Sequence, residues 1–174
     1  TGDNGLAVGQ HGLMGKQSLY DHSVRVPLVF AGPGIPCGER RDAFAYLLDI
    51  FPTLCDMTGC DIPGSVEGMS LAPVIADGRV TGRESLYLAY DKTLRGVRKD
   101  RYKLVEYAVN GHQDTQLFDL VDDPDDLQNI ARSDGMATVL RDLRAELYRL
   151  RDEWGDRAHA TGGTFWAEHD AAMT

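Results

Sequence analysis

The clearest secondary-structure pattern lies in residues Met136 to Trp154, which read MATVLRDLRAELYRLRDEW. Its apolar side chains recur at spacings of three and four residues, which is the repeat of one face of an α-helix. The pattern therefore predicts an amphipathic helix over 136–154, with Leu143 buried in mid-stripe and Arg144 on the solvent side. The apolar positions are Met136, Val139, Leu140, Leu143, Leu147, Leu150 and Trp154.

The chain just before this helix has strand character. Several short segments there alternate or run apolar over strand lengths, with polar turns between them, which predicts an antiparallel sheet. We expect the helix to pack on that sheet. The segments are Ser85–Tyr90, Leu94–Val97, Tyr102–Val109 and Gln116–Leu120.

Farther upstream the pattern is mixed. Residues 24–31 form an apolar, β-branched run that ends at a Gly-Pro-Gly turn, so they predict a buried strand. Asp49 can cap a helix that carries Pro52 in its first turn and ends at Gly59. Residues 71–76 predict a further short helix. Residues 3–23 are rich in glycine and polar side chains, which indicates a functional loop.

Composition excludes some classes of protein. A chain of 174 residues with 43% hydrophobic content can bury a core of its own. A net charge of -9 argues against binding nucleic acid. No apolar stretch approaches the roughly 20 residues that span a bilayer. The three cysteines form no Cys-x-x-Cys pair, so we expect buried or partly buried structural thiols and no zinc site.

The amino end carries the best indication of function. It reads Thr1-Gly2-Asp3-Asn4-Gly5, and Lys16 follows eleven positions after Gly5. Asp3 and Asn4 offer oxygen ligands without a soft donor, which suits calcium or magnesium. Lys16 could reach a sulfate-like or phosphate-like group beside the metal. The alternative is an ordinary polar turn, since Asp-Gly and Asn-Gly pairs are common turn formers.

These motifs, taken in order along the chain, resemble the sulfatase family. The resemblance covers roughly residues 1–150. It implies an α/β fold, the carboxy-terminal part of a sulfatase-like α/β sandwich plus a small antiparallel sheet packed by a long helix. It also implies that Asp3 and Asn4 bind calcium and that Lys16 contacts the sulfate. Further matching segments are Val24–Leu28, Gly32–Gly34, Leu48–Leu54, Gly68–Leu71, Arg98, Tyr102–Leu104, Gln116–Leu120, Asp123–Pro124 and Asn129.

Two family elements are missing from this sequence. Sulfatases carry an Asp-Asp metal pair and a Cys-x-Pro-x-Arg or Ser-x-Pro-x-Arg motif upstream, whose Cys or Ser becomes formylglycine. We therefore expect a carboxy-terminal portion, inactive alone, whose sheet is completed by the missing amino-terminal portion or by another chain. The implied organisation is 1–82 for part of the catalytic domain, 83–157 for a small sheet-and-helix subdomain, and 158–174 for a tail with little periodicity.

Two roles are compatible with the position of His11. His11 could act as a general acid, because imidazole titrates near neutral pH, or it could order residues 9–15 by binding backbone. The substrate implied by the family is a sulfated small molecule or glycan. A phosphonate or phosphodiester hydrolase of the same superfamily, and a non-catalytic module derived from it, are the alternatives. The sequence leaves localisation undetermined.

Overall fold

A computed structural model describes residues 1–171. The chain divides into two compact units, of which the first contains 27–86 with Thr1, and the second contains 2–26 together with the described residues from Tyr87 onward. Short 3-10 turns lie at Gln10–Gly12, Leu47–Asp49 and Asp156–Ala158. In chain order, the helices and strands are β1 Ala7–Val8, β2 Met14–Gly15, α1 Asp21–Val24, α2 Ile50–Thr58, α3 Ala72–Ala76, β3 Ser85–Tyr90, β4 Leu94–Lys99, β5 Tyr102–Val109, β6 His112–Asp119, α4 Ala137–Glu153 and α5 Ala160–Ala171.

The predicted antiparallel sheet is confirmed. Its strand order is β3-β4-β5-β6, with Leu94 opposite Tyr107 and Tyr102 opposite Asp119. Strand β5 has the predicted ends, whereas β6 starts earlier than predicted because Asn110 and Gly111 make a tight hairpin turn. Both turn residues have positive φ, at 51° and 77°, as a two-residue turn between antiparallel strands favours.

Helix α4 is also confirmed, within one residue of its predicted ends, and it packs on the sheet. Leu143, Leu147 and Leu150 are buried against apolar side chains of β4, β5 and β6. Burial of a leucine side chain stabilises the fold by roughly 1.5–3 kcal/mol. The periodic stripe therefore forms the core of the second unit. The strand residues in this core are Val97, Leu104, Ala108 and Leu117.

The prediction for Arg144 is wrong. Its Nε donates to Glu106 Oε1 at 2.7 Å and its Nη2 donates to Thr115 Oγ1 at 2.9 Å. The Glu106 side chain is only 4% exposed, and that of Arg144 is 31% exposed. A buried carboxylate is costly unless it is paired, and Glu106 of β5 is paired with Arg144. The arginine lies at the edge of the apolar face of α4 and its side chain therefore points to the sheet.

The tail predicted to have little periodicity contains a helix, α5. Phe165 and Trp166 of α5 are fully buried. Asp156 holds the start of this region through hydrogen bonds from Arg95 at 2.7 Å and from Trp166 Nε1 at 2.7 Å. Burial alone would raise the pKa of Asp156, but these bonds outweigh it and lower the pKa. The buried positions of α5 recur at three and four residues, but two of them, Gly162 and His169, are not apolar, so the sequence shows no apolar period there.

In the first unit, the predicted helices are present as α2 and α3. Asp49 precedes α2 and is fully buried. Its carboxylate does not cap the helix but accepts hydrogen bonds from the backbone N–H groups of Tyr46 and Met69 and from Arg83. Gly59 ends α2 with φ at 72°.

Two other expectations for the chain need correction. Residues 25–31 form no strand, and Val29 is 77% exposed. A strand forms only where another strand is available to share backbone hydrogen bonds. The apolar composition of residues 24–31 carries no information on whether such a partner strand is present. Of the three cysteines only Cys55 is buried, because Cys37 and Cys60 lie in irregular segments at the surface. No helix within residues 1–171 combines the length and apolar composition needed to cross a bilayer.

Candidate functional site

The site segment, residues 2–26, begins with a small β-hairpin. Ala7 of β1 pairs with Gly15 of β2, and Val8 pairs with Met14. This pairing turns the chain back on itself, so Lys16 returns to the residues just before β1. Gly15 has φ at 123°, and a Cβ there would lie 2.6 Å from Gln17 Oε1. Only glycine fits this turn towards Lys16 without strain.

The hairpin brings Lys16 and Asn4 together. Lys16 Nζ donates to Asn4 Oδ1 at 2.9 Å, across twelve positions of sequence. The orientation of the Asn4 amide is set by its other end, where Nδ2 donates to the Gly5 carbonyl at 2.8 Å. Asn4 is half-buried, whereas the Lys16 side chain is exposed. Two of the four predicted site residues therefore form one contact.

Asp3 lies at the exposed start of the same turn. One carboxylate oxygen, Oδ1, accepts the backbone N–H of Asn4 at 2.9 Å. Within residues 1–171, the carboxylate makes no ion pair with Lys16. The lysine donates to the neutral amide oxygen instead of the neighbouring carboxylate, and Asp3 lies exposed at the surface.

His11 lies at the far end of the hairpin. Its ring stacks on Tyr20 at a centroid distance of 4.0 Å and an interplanar angle of 9°. Its Nε2 donates to the backbone carbonyl of Asp125 at 2.9 Å. His11 itself has a left-handed backbone, with φ at 53°. These contacts attach the hairpin tip to the acidic turn at 122–126.

A buried ionic cluster links the site segment to the sheet. Its members are Lys103, Asp21, Asp126 and Arg98. Lys103 of β5 is fully buried and donates to Asp21 at 2.7 Å and to Asp126 at 2.8 Å. Asp126 also accepts the Asp21 backbone N–H at 2.7 Å, and Arg98 bonds Asp21 at 3.3 Å. Asp21 begins α1, five positions after Lys16.

Sequence reasoning missed this cluster. Tyr102-Lys103-Leu104 and Arg98 contribute to the family resemblance, but a lysine in a strand gives no sign of being buried. Its partners Asp21 and Asp126 lie 82 and 23 positions away. No local spacing could have identified them. The family motif itself is the one signal that pointed to Lys103.

The same region contains a second histidine, His22, beside His11. The two ring centroids are 5.4 Å apart. Burial lowers the pKa of His22 below its usual value, and the neighbouring His11 lowers it further. Ser18 Oγ lies 3.3 Å from His22 Nε2 and 2.9 Å from Ser23 Oγ. The neutral imidazole is thus favoured in this polar cluster.

The oxygen donors near the amino end suit a hard cation but supply only part of its shell. Asp3 and Asn4 provide carboxylate and amide oxygens, the ligands that calcium prefers. Asn4 Oδ1 already faces a positive charge, the Lys16 ammonium. Within residues 1–171, no group of three or more His, Cys, Asp or Glu residues could hold a metal ion. Two ligands leave most of the roughly six to eight calcium positions to other donors.

Comparison with known proteins identifies the class. The family model described as N-sulphoglucosamine sulphohydrolase, C-terminal, matches residues 9–153. The chain belongs to the sulfatase family and matches its carboxy-terminal portion. This confirms both the resemblance stated above and the α/β fold class inferred from it.

Individual relatives agree with this family assignment. A Δ4,5-hexuronate-2-O-sulfatase of Bacteroides thetaiotaomicron is 31% identical over 159 residues, covering 83% of this chain and 32% of the relative. A solved structure of a protein in complex with its substrate D-glucosamine-2-N,6-O-disulfate has a TM-score of 0.80 at 26% identity, covering 88% of this chain and 33% of that one. The phosphonate monoester hydrolase of Agrobacterium radiobacter has a TM-score of 0.70 at 29% identity, covering 83% and 32%. The chain thus spans about a third of each.

Proposed function

We propose that this chain is the carboxy-terminal portion of a hydrolase that cleaves sulfate esters. Asp3 and Asn4 would supply part of a calcium site, with magnesium as the alternative ion, and Lys16 would bind the sulfate. The observation that carries the proposal is the contact between Lys16 Nζ and Asn4 Oδ1 at 2.9 Å. This contact supports the proposal, because a lysine that could bind an anionic ester lies within hydrogen-bonding distance of an oxygen of the type that a hard cation prefers.

Each residue has a distinct role in this proposal. The calcium, when bound, would neutralise charge on the sulfate oxygens. Lys16 would donate to a non-bridging sulfate oxygen and stabilise the charge that grows there as the ester bond breaks. The contacts of His11 with Tyr20 and Asp125 favour the role of ordering the hairpin over that of general acid. The formylglycine nucleophile would come from the part of the enzyme upstream of this chain.

The substrate class we propose is a sulfated sugar of a glycan. The support is the relatives, of which one is described as a hexuronate sulfatase and another binds a disulfated glucosamine. The alternative is a phosphonate ester, supported by the similarity to a phosphonate monoester hydrolase. Both chemistries would use the same lysine and metal ligands, because both substrates present anionic oxygens.

Assays of the protein that the natural gene encodes would test the function. We expect release of sulfate from a sulfated sugar such as D-glucosamine-2-N,6-O-disulfate, and Lys16→Ala should lower kcat by about 10²- to 10³-fold, the loss typical of one donor to a developing oxyanion. Lys92→Ala removes an exposed lysine from a turn and is the matched control. Faster turnover of phenyl phosphonate esters than of sulfate esters would favour the alternative.

The isolated chain provides a second readout of the same assay. Because its sequence lacks the Cys-x-Pro-x-Arg or Ser-x-Pro-x-Arg nucleophile motif, and the Asp-Asp metal pair of the family lies upstream of the matched portion, we expect no turnover by the isolated chain with calcium present. Turnover by the isolated chain that is lost in Lys16→Ala would contradict the proposal that the nucleophile lies outside this chain. Inactivity of the natural gene product toward both ester classes would instead support a non-catalytic module.

A further inference from the structure

Two of the three cysteines lie at the carboxyl end of α2. Cys55 is near the end of the helix, and Cys60 is the second residue after it. Gly59, which ends the helix, has a left-handed backbone with φ at 72° and ψ at 23°. The Cys60 N–H donates to the Cys55 carbonyl at 2.9 Å, while the Gly59 N–H donates to the carbonyl of Asp56 at 3.3 Å. These two bonds define a Schellman motif, which folds the chain back beside the last turn of the helix.

This motif holds the two cysteines at a separation that suits a disulfide. With standard backbone dimensions, the bond between the Cys60 N–H and the Cys55 carbonyl limits the distance between the two Cα atoms to at most about 6.8 Å. Disulfides join residues whose Cα atoms are about 4.4–6.8 Å apart. The side chains at these two positions of a Schellman motif often contact each other. Cys55 and Cys60 therefore meet the distance requirement without any movement of the backbone.

The two thiols differ in their access to solvent. Cys60 is exposed, whereas Cys55 is buried, with 9% of its surface accessible. Cys60 Sγ accepts a bond from Thr58 Oγ1 at 3.4 Å. Hydrogen bonds to a thiol sulfur are weak, so this contact leaves the Cys60 side chain able to rotate towards Cys55. An oxidant from solvent therefore meets Cys60 first, and Cys55 lies beside the sulfur that has been oxidised.

We propose that Cys55 and Cys60 form a reversible dithiol–disulfide site, in which a peroxide oxidises Cys60 and Cys55 resolves the product. The Cys60 sulfur attacks one oxygen of hydrogen peroxide, the O–O bond breaks, and Cys60 becomes a sulfenic acid as hydroxide leaves. The Cys55 sulfur then attacks the Cys60 sulfur, so that an S–S bond forms, the S–O bond breaks and a second hydroxide leaves. The two thiol protons convert both hydroxides to water. This site goes beyond the proposed hydrolysis and does not depend on it.

The loop that follows Cys60 is held on the same helix, which favours a bond within one chain. Ser70 Oγ donates to Asp56 Oδ2 at 2.7 Å, and the Met69 N–H donates to Asp49 Oδ1 at 2.8 Å. Both ends of residues 60–70 are thus attached to α2 or to the residue before it. Because Cys60 is already positioned, the disulfide would add a covalent link where hydrogen bonds hold the chain in the reduced form.

Peptide mapping of the 174-residue chain tests the bond directly. The chain is treated with limiting hydrogen peroxide, its remaining thiols are blocked with N-ethylmaleimide, and it is digested with a protease that cleaves before aspartate. Aspartates at 49, 56 and 61 place the two cysteines in separate peptides, 49–55 and 56–60. We expect these peptides to be joined after peroxide treatment and to separate after addition of dithiothreitol. Absence of the joined pair at a peroxide dose that oxidises Cys60 would overturn the proposal.

Cysteine variants test the specificity and the order of the two steps. Cys37→Ser should keep the joined peptides, and Cys60→Ser, at an exposed position, should lose them. Cys55→Ala should leave a sulfenic acid on Cys60 that dimedone labels, whereas Cys55 in Cys60→Ser should stay unlabelled because it is buried. Two further outcomes would overturn the proposal: a bond from Cys60 to Cys37 or to a second chain in place of Cys55, or equal labelling of Cys55 and Cys60 in the two single variants.

Discussion

Residues 2–26 and helix α4 pack on the same sheet within one compact unit, but residues 2–26 add a buried lysine with two carboxylates to their apolar contacts. Leucines of α4 bury themselves on the sheet, whereas Lys103, Asp21 and Asp126 tie the site segment to the same sheet by charge. Apolar packing tolerates small shifts, but a hydrogen-bonded ion pair has a defined geometry. The segment that carries the proposed site residues thus adds directional bonds to the apolar packing of Leu19 on the sheet.

Removal of Lys103, the central cation of the ionic cluster, should destabilise the fold most. Lys103→Met leaves Asp21 and Asp126 facing each other in the interior, where the Lys103 and Asp126 side chains are 0% and 1% exposed. We expect the free energy of unfolding to fall by about 3–5 kcal/mol, the cost of removing one partner of a buried pair. Chemical denaturation measures the change.

The double variant Lys103→Met, Asp126→Asn is the control for that interpretation. It removes one charge of each sign, so it should be less destabilised than Lys103→Met alone if uncompensated charge is the cause. A double variant as unstable as the sum of the two single changes would mean that packing volume, not charge, explains the loss.

The contrast between the two regions also explains what the sequence could reveal. Helix α4 was readable because apolar burial imposes a period of 3.6 residues, and strand β5 was readable because it is a short, largely apolar run between polar turns. The ionic cluster was not, since charge pairing across 82 positions leaves no period. The strand expected at 24–31 failed for a related reason, because an apolar run does not specify its hydrogen-bonding neighbour.

The site shows the same division. Asp3, Asn4 and Lys16 were proposed from their residue types and from the family resemblance, but no spacing predicted that Lys16 would contact the Asn4 amide rather than the Asp3 carboxylate. The contact depends on the hairpin of β1 and β2, in which Gly15 has a φ of 123° and directly precedes Lys16. His11 likewise gave no sequence sign of its stacking on Tyr20.

A cavity in the apolar region should have a somewhat smaller effect. Leu143 is 5% exposed and lies in the middle of the core formed by α4 and the sheet. Leu143→Ala should lower the free energy of unfolding by roughly 2–5 kcal/mol through lost burial and the cavity left behind. Leu127→Ala, at a leucine that is 67% exposed, should change it by less than about 0.5 kcal/mol. Equal effects in denaturation would show that α4 does not pack as described.

Arg144 makes an ionic bond within the apolar interface between α4 and the sheet. Arg144→Ala removes the donor to Glu106, whose side chain is 4% exposed, but Thr115 still donates to that carboxylate. We expect a loss of about 1–3 kcal/mol, less than for Lys103 because the arginine is 31% exposed and solvent can partly replace it. Arg141→Ala on the same helix is the matched control, since its pair with Asp142 is 71% and 65% exposed and should contribute less than about 0.5 kcal/mol. Equal stability of the two variants in denaturation would show that the pair with Glu106 contributes nothing. Arg144 would then behave as the solvent-exposed residue that the helical period predicts.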